Sequence, residues 1–392
     1  MTKKIHIAHV ISNLEQDDGI QNVIDSLSHE YDFAKYKMII FVLSMNDERK
    51  DFYEKRGIKV FRIKISSQFS FKNFLKGFFV VYSLIKLFKK ERIEIVTSHD
   101  FFCGIFGRIA AVLARIPVNL WMVHNEDHWK KTHHIMVDKF LANFSDIIIT
   151  NSHYIKKRNS KIENISIEKH FVIHNGINLK KFNKINNKKS IREELGLSKE
   201  SPIITNIGRL VTQKGQKYLL EASVEVIKKH PKTAFLIVGD EGDHRDGNVK
   251  LDLMNFIEMN KLSKNIFFLG RREDIPKILN ETDLFVFPTL WEGFGLVIAE
   301  AMAMEVPVIA SNIGPIPEII KHNESGVLVE PKKSKELSIA ILDLLQNKEK
   351  RRSIAAKGKE RVFLKFSAKV MATKTENLYQ ELLEKKKNYD EL

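Results

Sequence analysis

Short apolar runs rich in β-branched and aromatic residues occupy 4–11, 36–43, 59–63, 93–97, 118–123 and 146–150, and between them apolar positions recur every three or four residues, as in 20–30 and 104–114. Runs of this length predict strands buried on both faces, and the wider spacing predicts amphipathic helices. Strand and helix in alternation give a parallel sheet with crossover helices. The pattern then restarts. Residues 203–208, 234–239, 265–269, 283–287 and 307–310 read as a second set of strands, again separated by helix-period stretches. The chain is therefore predicted to be α/β, with two doubly wound domains.

Residues 177–201 carry many Asn and Lys, among them Asn186, Lys188 and Lys189, and few large apolar residues, so they read as a linker with a short helix at 191–197. Residues 366–387 place Val370, Met371, Leu378, Leu382 and Leu383 close to helical spacing, which predicts one long amphipathic helix that covers another surface. The expected division is 1–176, 177–365 and 366–392, the last a helix packed back on the first domain.

Composition adds little to the fold and something to the setting. A length of 392 residues with 43% hydrophobic content suits two cores of ordinary size. The one cysteine, Cys103, has no intramolecular partner, which fits a reducing compartment and favours the cytoplasmic side. His6 and His9 interrupt the first apolar run, which has no small-residue cleavage site and reads as a strand rather than a leader. The net charge of +15 points to an anionic partner. Nucleic acid is not that partner, because no recognition helix, zinc finger or RNA-binding aromatic motif accompanies the charge.

Ligands of open α/β sheets sit beyond the carboxyl ends of the strands. The richest such stretch runs from Asp283 to Glu318: an apolar run, Pro288, then Trp291, Glu292, Gly293, Phe294 and Gly295, a helix carrying Glu300, another strand, and Gly314, Pro315 and Glu318. Gly293 and Gly295 remove side chains where the chain enters a helix, so backbone amides there can approach an anion, aided by the helix dipole. On spacing alone, Glu292 and Glu300 also read as solvated charges beside a tight turn.

Glu292, seven intervening residues and Glu300, in this setting, resemble the signature of glycosyltransferase family 4. Further motifs fall in the family's order: Gly208, Arg209 and Leu210 with Gln213, Lys214 and Gly215; Val238, Gly239, Asp240, Glu241 and Gly242; Phe268, Leu269 and Gly270; and 314–318. The resemblance covers nearly the whole chain. It implies a GT-B fold of two Rossmann-like domains facing a central cleft, and a retaining, metal-independent transfer of a hexose or N-acetylhexosamine from a nucleotide diphosphate sugar, UDP first and GDP second. It implies that Arg209 and Lys214 hold the diphosphate, Glu300 the ribose and Glu292 the transferred sugar. Gly239, Leu269, Gly293, Phe294, Gly295, Leu296 and Val297 complete the donor side. A planar guanidinium and a compact ammonium are complementary ways to hold adjacent phosphate oxygens. The sugar nucleotide is a substrate, so no cofactor is expected. The acceptor is a glycan or lipid-linked sugar of a surface polysaccharide such as capsule or lipopolysaccharide.

In the first domain Gly19 follows the first strand and is placed to let amides approach a phosphate, although Asp18 stands where the family has a second glycine. His124 resembles the family's histidine near the donor sugar, with Asn125 where Asp is usual. His99 and Asp100 resemble acceptor-side residues. Asp240, Glu241 and Asp243 are acidic but fall near the nucleotide, and His133 and His134 read as surface, so no metal site is expected. Residues 64–92 set Phe71, Phe74, Leu75, Phe78, Tyr82 and Ile85 at helical spacing beside Lys64, Lys72, Lys76, Lys86, Lys89, Lys90 and Arg92. That pattern fits a helix at an anionic membrane surface or one packed on the sheet with its lysines in water. A nucleotide-sugar epimerase or glycan phosphorylase on the same architecture, and a noncatalytic membrane- or glycan-binding module, are the alternative functions.

Overall fold

A computed structural model of the chain describes residues 3–15, 19–63, 74–127, 129–182, 190–241 and 247–390. They belong to two units, one made of Met1–Gly176 with Ala368–Leu392 and the other of Ile177–Ser367. Asp18, Gly242, Asp243, Asn186, Lys188, Lys189 and the first part of the 64–92 segment lie outside the described residues.

The first unit holds a seven-stranded parallel sheet. Its strands are β1 (Ile5–Asn13), β2 (Tyr36–Ser44), β3 (Lys59–Arg62), β4 (Ile95–His99), β5 (Val118–Val123), β6 (Ile147–Thr150) and β7 (His170–Val172). Their order is β3-β2-β1-β4-β5-β6-β7, so the winding reverses between β1 and β4. The structure adds β7 to the six strands the pattern predicts, and its three residues are too few to show a period. It also moves β4 by two residues. The helix Phe74–Glu91 ends through Arg92 in the left-handed region, and Ile93 donates to the Phe88 carbonyl. The strand therefore starts later and carries His99 as its last residue.

Helices cover both faces. Ile24 and Leu27 from the helix Gly19–Glu30, and Met371, Leu378, Tyr379 and Leu382 from the long helix Ala368–Asp390, pack on one side of the sheet. Val80, Leu84 and Phe88 pack on the other. Each such side chain removed from water contributes about 1.5–3 kcal/mol before entropy is counted, and the carboxyl-terminal helix is held to this unit in that way. Thr132–Ala142 is built differently. It buries Asp138 and exposes Met136, Val137 and Phe140, because Asp138 answers the fully buried Arg108 across a 2.6 Å ion pair.

The second unit repeats the plan with six strands: β8 (Ile203–Ile207), β9 (Ala234–Val238), β10 (Ile266–Gly270), β11 (Leu284–Phe287), β12 (Val308–Ser311) and β13 (Val327–Val329). The order β10-β9-β8-β11-β12-β13 reverses between β8 and β11. β13 was not predicted and is again a three-residue edge strand. Ile177 and Ile191, from the segment read as a linker, are buried in this unit's core.

Candidate active site

In the second unit the loops that leave β8 and β11, the two strands flanking the reversal, are laced together. The Gln213 side-chain amide donates to the Trp291 carbonyl at 2.9 Å, the Leu290 N–H donates to the Gln213 carbonyl at 2.8 Å, and the buried Thr289 hydroxyl lies 2.9 Å from the Gln213 carbonyl. Gly215 closes the first loop at φ 64°. A Cβ there would stand 2.1 Å from the Pro288 carbonyl oxygen, so only glycine permits the approach. These contacts bring Lys214 to Glu292, with Nζ 2.6 Å from Oε2, and both side chains are largely withdrawn from water. The second carboxylate oxygen of Glu292 accepts the N–H of Gly293 at 3.0 Å. That amide, counted among the open anion-binding groups from sequence, is thus taken by the neighbouring side chain.

Arg209 is exposed, and among the described residues its guanidinium has no ion pair. Glu300 lies on the helix Leu296–Ala303, which Gly295 opens at φ 96°. It is half-buried, and desolvation pushes its carboxyl up to about 7 against the pull of Lys181. Of the four predicted donor residues, the structure therefore joins Lys214 and Glu292 directly. It leaves Arg209, in the loop after β8, and Glu300, on the helix after β11, as separate groups.

The remaining donor-side positions follow. Gly239 stands after β9 at φ 140°, where a Cβ would meet the Gly208 carbonyl at 2.2 Å, and its N–H donates to the Gly270 carbonyl beside Leu269. The Phe294 ring is in the core 5.9 Å from the Phe366 ring, so this residue has only its backbone to offer a ligand. Leu296 and Val297 form the first turn of their helix and are half-buried. Asp240 accepts the Arg271 N–H and Glu241 pairs with Lys250, so each already has a partner.

In the first unit a cavity of about 180 Å³ lies beyond β1, β4 and β5, with Ser12, Asp100, Trp121, His124, Asp127 and Trp129 on its wall. His124 directly follows β5 and is buried. Desolvation lowers its imidazole to about 4 and that of His9 to about 3, and it lowers His99 as well. Asp100 caps the helix Phe101–Ala114 at φ 51°, a conformation non-glycine residues rarely hold and one that is stored at sites of function. Its carboxylate accepts the Ser12 and Cys103 amides, while burial raises it to about 6. Gly19 opens its helix exposed, and a Cβ there would meet nothing, so the unit itself supplies no steric reason for a glycine. His133 and His134 do converge, at 3.1 Å, on an exposed helix start.

Sequence reasoning missed four residues here. His9 appeared only as an interruption of an apolar run. Trp129 and Asp127 on the cavity wall carried no motif. Lys130, directly after Trp129, has a side chain withdrawn from water that pairs with Asp127, Asp138 and Glu163 at 3.0, 2.9 and 3.2 Å, which fixes that loop.

Two family models match the chain, one described as Glycosyltransferase Family 4 over residues 18–181 and one as Glycosyl transferases group 1 over residues 187–361. The chain belongs to this family of glycosyltransferases. An Escherichia coli UDP-Gal:alpha-D-GlcNAc-diphosphoundecaprenol alpha-1,3-galactosyltransferase is 36% identical over 63% of this chain, a match that spans 65% of that relative's length. A Staphylococcus aureus capsular polysaccharide biosynthesis glycosyltransferase, CapM, is 28% identical over 76% of this chain and 80% of its own. Among solved structures, a glycosyltransferase from Rickettsia africae superposes with a TM-score of 0.84 at 21% identity over 97% of this chain and 99% of that one. Anabaena HepE in complex with UDP gives 0.82 at 22% identity over 96% and 100%. These likenesses show the GT-B fold. Membership of the family favours transfer over the epimerase and binding-module readings.

Proposed function

We propose that the chain transfers a hexose or N-acetylhexosamine from a UDP-sugar to a glycan or lipid-linked acceptor in surface polysaccharide assembly. The observation that carries this reading is the Lys214–Glu292 pair at the strand-order reversal, where a doubly wound sheet binds nucleotides. Lys214 and Arg209 offer cations to the diphosphate, and the amides after Gly295 add the positive end of a helix. Together they stabilise the charge that develops on the leaving group, as preorganised donors do. Glu292 accepts hydrogen bonds from sugar hydroxyls, and Glu300 accepts them from the ribose. No protein nucleophile is assigned. The anomeric configuration is retained, the departing phosphate takes the acceptor's proton, and no metal is needed. UDP as the base is supported by the UDP-bound state of HepE, and a lipid-linked acceptor by the diphosphoundecaprenol named for the E. coli relative.

The helix Phe74–Glu91 supports peripheral contact with an anionic membrane at the cytoplasmic face. It buries Val80, Leu84 and Phe88 yet leaves Phe78, Phe79 and Tyr82 at 61%, 58% and 56% exposure beside Lys86, Lys89 and Lys90. It therefore both packs on the sheet and offers an aromatic, basic outer face. Ile85, counted in the outer stripe from sequence, is half-buried. No helix among the described residues is long and apolar enough to cross a membrane.

A transfer assay over UDP- and GDP-sugars, with and without lipid-linked acceptors, tests the proposal. Acceptor-dependent UDP release with an α-configured product is expected. Interconversion of sugars without acceptor would indicate an epimerase, and consumption of inorganic phosphate a phosphorylase.

A further inference from the structure

Behind the cavity of the first unit runs a line of buried polar groups of which the donor-site reading uses only the outer end. His124 Nε2 lies 2.8 Å from His99 Nδ1, and His99 Nε2 lies 2.9 Å from His9 Nδ1. His9 Nε2 is 3.5 Å from the Tyr31 hydroxyl, which is 3.1 Å from the Tyr379 hydroxyl, and that in turn is 3.1 Å from Thr97 Oγ1. All six side chains are buried. The geometry follows from the sheet: β1, β4 and β5 are consecutive neighbours, with His9 within β1, His99 at the end of β4 and His124 directly after β5. The carboxyl-terminal helix supplies Tyr379.

A neutral imidazole has one N–H and one bare nitrogen, so along the three rings the direction of one link sets the others. A hydroxyl can accept at both of its links and turn its own proton away, but among the described residues Tyr31, Tyr379 and Thr97 have no acceptor outside the line, so every arrangement but one leaves a hydroxyl proton unmet. With the protons directed inward, Tyr379 donates to Thr97, and among the described residues the Thr97 hydroxyl then has no acceptor. His124 Nδ1 is left bare and unpartnered as well. With the protons directed outward, Thr97 donates to Tyr379, Tyr379 to Tyr31 and Tyr31 to His9. His9 Nδ1–H then donates to His99 Nε2, and His99 Nδ1–H to His124 Nε2. Every hydroxyl has its acceptor, and the one group left over is His124 Nδ1–H, on a residue of the cavity wall. The outward arrangement leaves one buried group unmet and any other leaves two, a hydroxyl proton and His124 Nδ1, which selects the outward one.

We infer that Tyr31, His9 and His99 are positioning residues that lock His124 in the Nδ1–H tautomer, so that the ring behind this cavity's wall can act toward a ligand as a hydrogen-bond donor and not as an acceptor. His124 then serves as no base, since Nε2 is held by His99 and Nδ1 already carries its proton. The role given to that N–H rests on the donor-site reading of His124. The tautomer itself is a property of the unliganded protein.

Long-range nitrogen–proton correlation spectra of the full chain, labelled with 15N-histidine and assigned through single histidine variants, read the tautomer directly. The expected result is the Nδ1–H form for His9, His99 and His124, although free neutral histidine prefers Nε2–H. His124 in the Nε2–H form, or a mixture, would overturn the inference. Tyr31→Phe keeps the ring and removes the hydroxyl that orients His9. It should convert His99 and His124 to mixed tautomers and lower turnover about tenfold, the worth of one buried hydrogen bond. Unchanged tautomers in Tyr31→Phe would equally overturn it. A chain that turns over no sugar nucleotide, yet shows three Nδ1–H rings, would sink the donor-site reading and leave the array standing.

Discussion

Lys214 Nζ stands 2.6 Å from Glu292 Oε2 although 78 positions separate the two residues along the chain. The contact exists because β8 and β11 are neighbours at the reversal of strand order, and because Gln213, Thr289 and Leu290 tie the loops that follow them. In the proposed reaction this cation and carboxylate exchange each other for a phosphate and a sugar hydroxyl. Glu292→Ala should therefore lower transfer by roughly a hundredfold or more, the order seen when a preorganised electrostatic partner is lost. Its far-ultraviolet circular dichroism should match that of the wild type, and near-normal turnover would remove Glu292 from the site.

Gly215→Ala tests the lacing of the loops. The new Cβ would fall 2.1 Å from the Pro288 carbonyl oxygen at a backbone φ of 64°, so the two loops must part. A stability loss of about 1–3 kcal/mol is expected, measured by urea unfolding, together with a weaker affinity for UDP-sugar by calorimetry.

Glu300 predicts a pH dependence. Its carboxyl is raised to about 7 by desolvation, so in the free protein it is largely protonated at pH 6 and largely ionised at pH 8. The ionised form is the hydrogen-bond acceptor, so UDP-sugar affinity should strengthen as pH rises through 7. Glu300→Gln should flatten that rise. The same shift makes this group a drain on stability above the ordinary carboxylate range, because the unfolded chain has already released its proton there.

The first unit depends on a buried ion network. Arg108 and Asp138 are both fully buried, and Lys130 bridges Asp138, Asp127 and Glu163. Asp138→Ala leaves Arg108 charged and unpaired, which costs about 3–5 kcal/mol. Thermal unfolding of the full chain should show the first unit melting well below the wild type.

Replacing Phe78, Phe79 and Tyr82 together by serine should reduce sedimentation with vesicles containing phosphatidylglycerol, while transfer to a water-soluble acceptor is kept. The inner face of that helix, Val80, Leu84 and Phe88, is untouched by these changes. Equal vesicle binding by the variant would assign the helix to packing alone.

How much of this was legible in the sequence depends on length scale. Among the described residues, apolar runs of four or more located eleven of the thirteen strands, and the loops after them showed where to look for chemistry. β7 and β13, with three residues each, fell below any period. The Gly-rich turns at 208–215 and 293–295 were readable because a missing side chain is a local signal. Partnerships across the sheet were not. His9 looks like a flaw in an apolar strand until β4 sets His99 beside it, and Asp138 looks like the polar face of a helix until Arg108 is found beneath it. Desolvation of Glu300 was equally hidden, because the depth of a side chain depends on what packs over it.

The account rests on one nucleotide sugar being held by Arg209, Lys214, Glu292 and Glu300. A crystal structure with a UDP-sugar bound tests this most directly. The expected result is the diphosphate on Arg209 and Lys214, the ribose hydroxyls on Glu300 and the sugar hydroxyls on Glu292. A nucleotide bound away from the carboxyl ends of β8 and β11, touching none of the four, would contradict it.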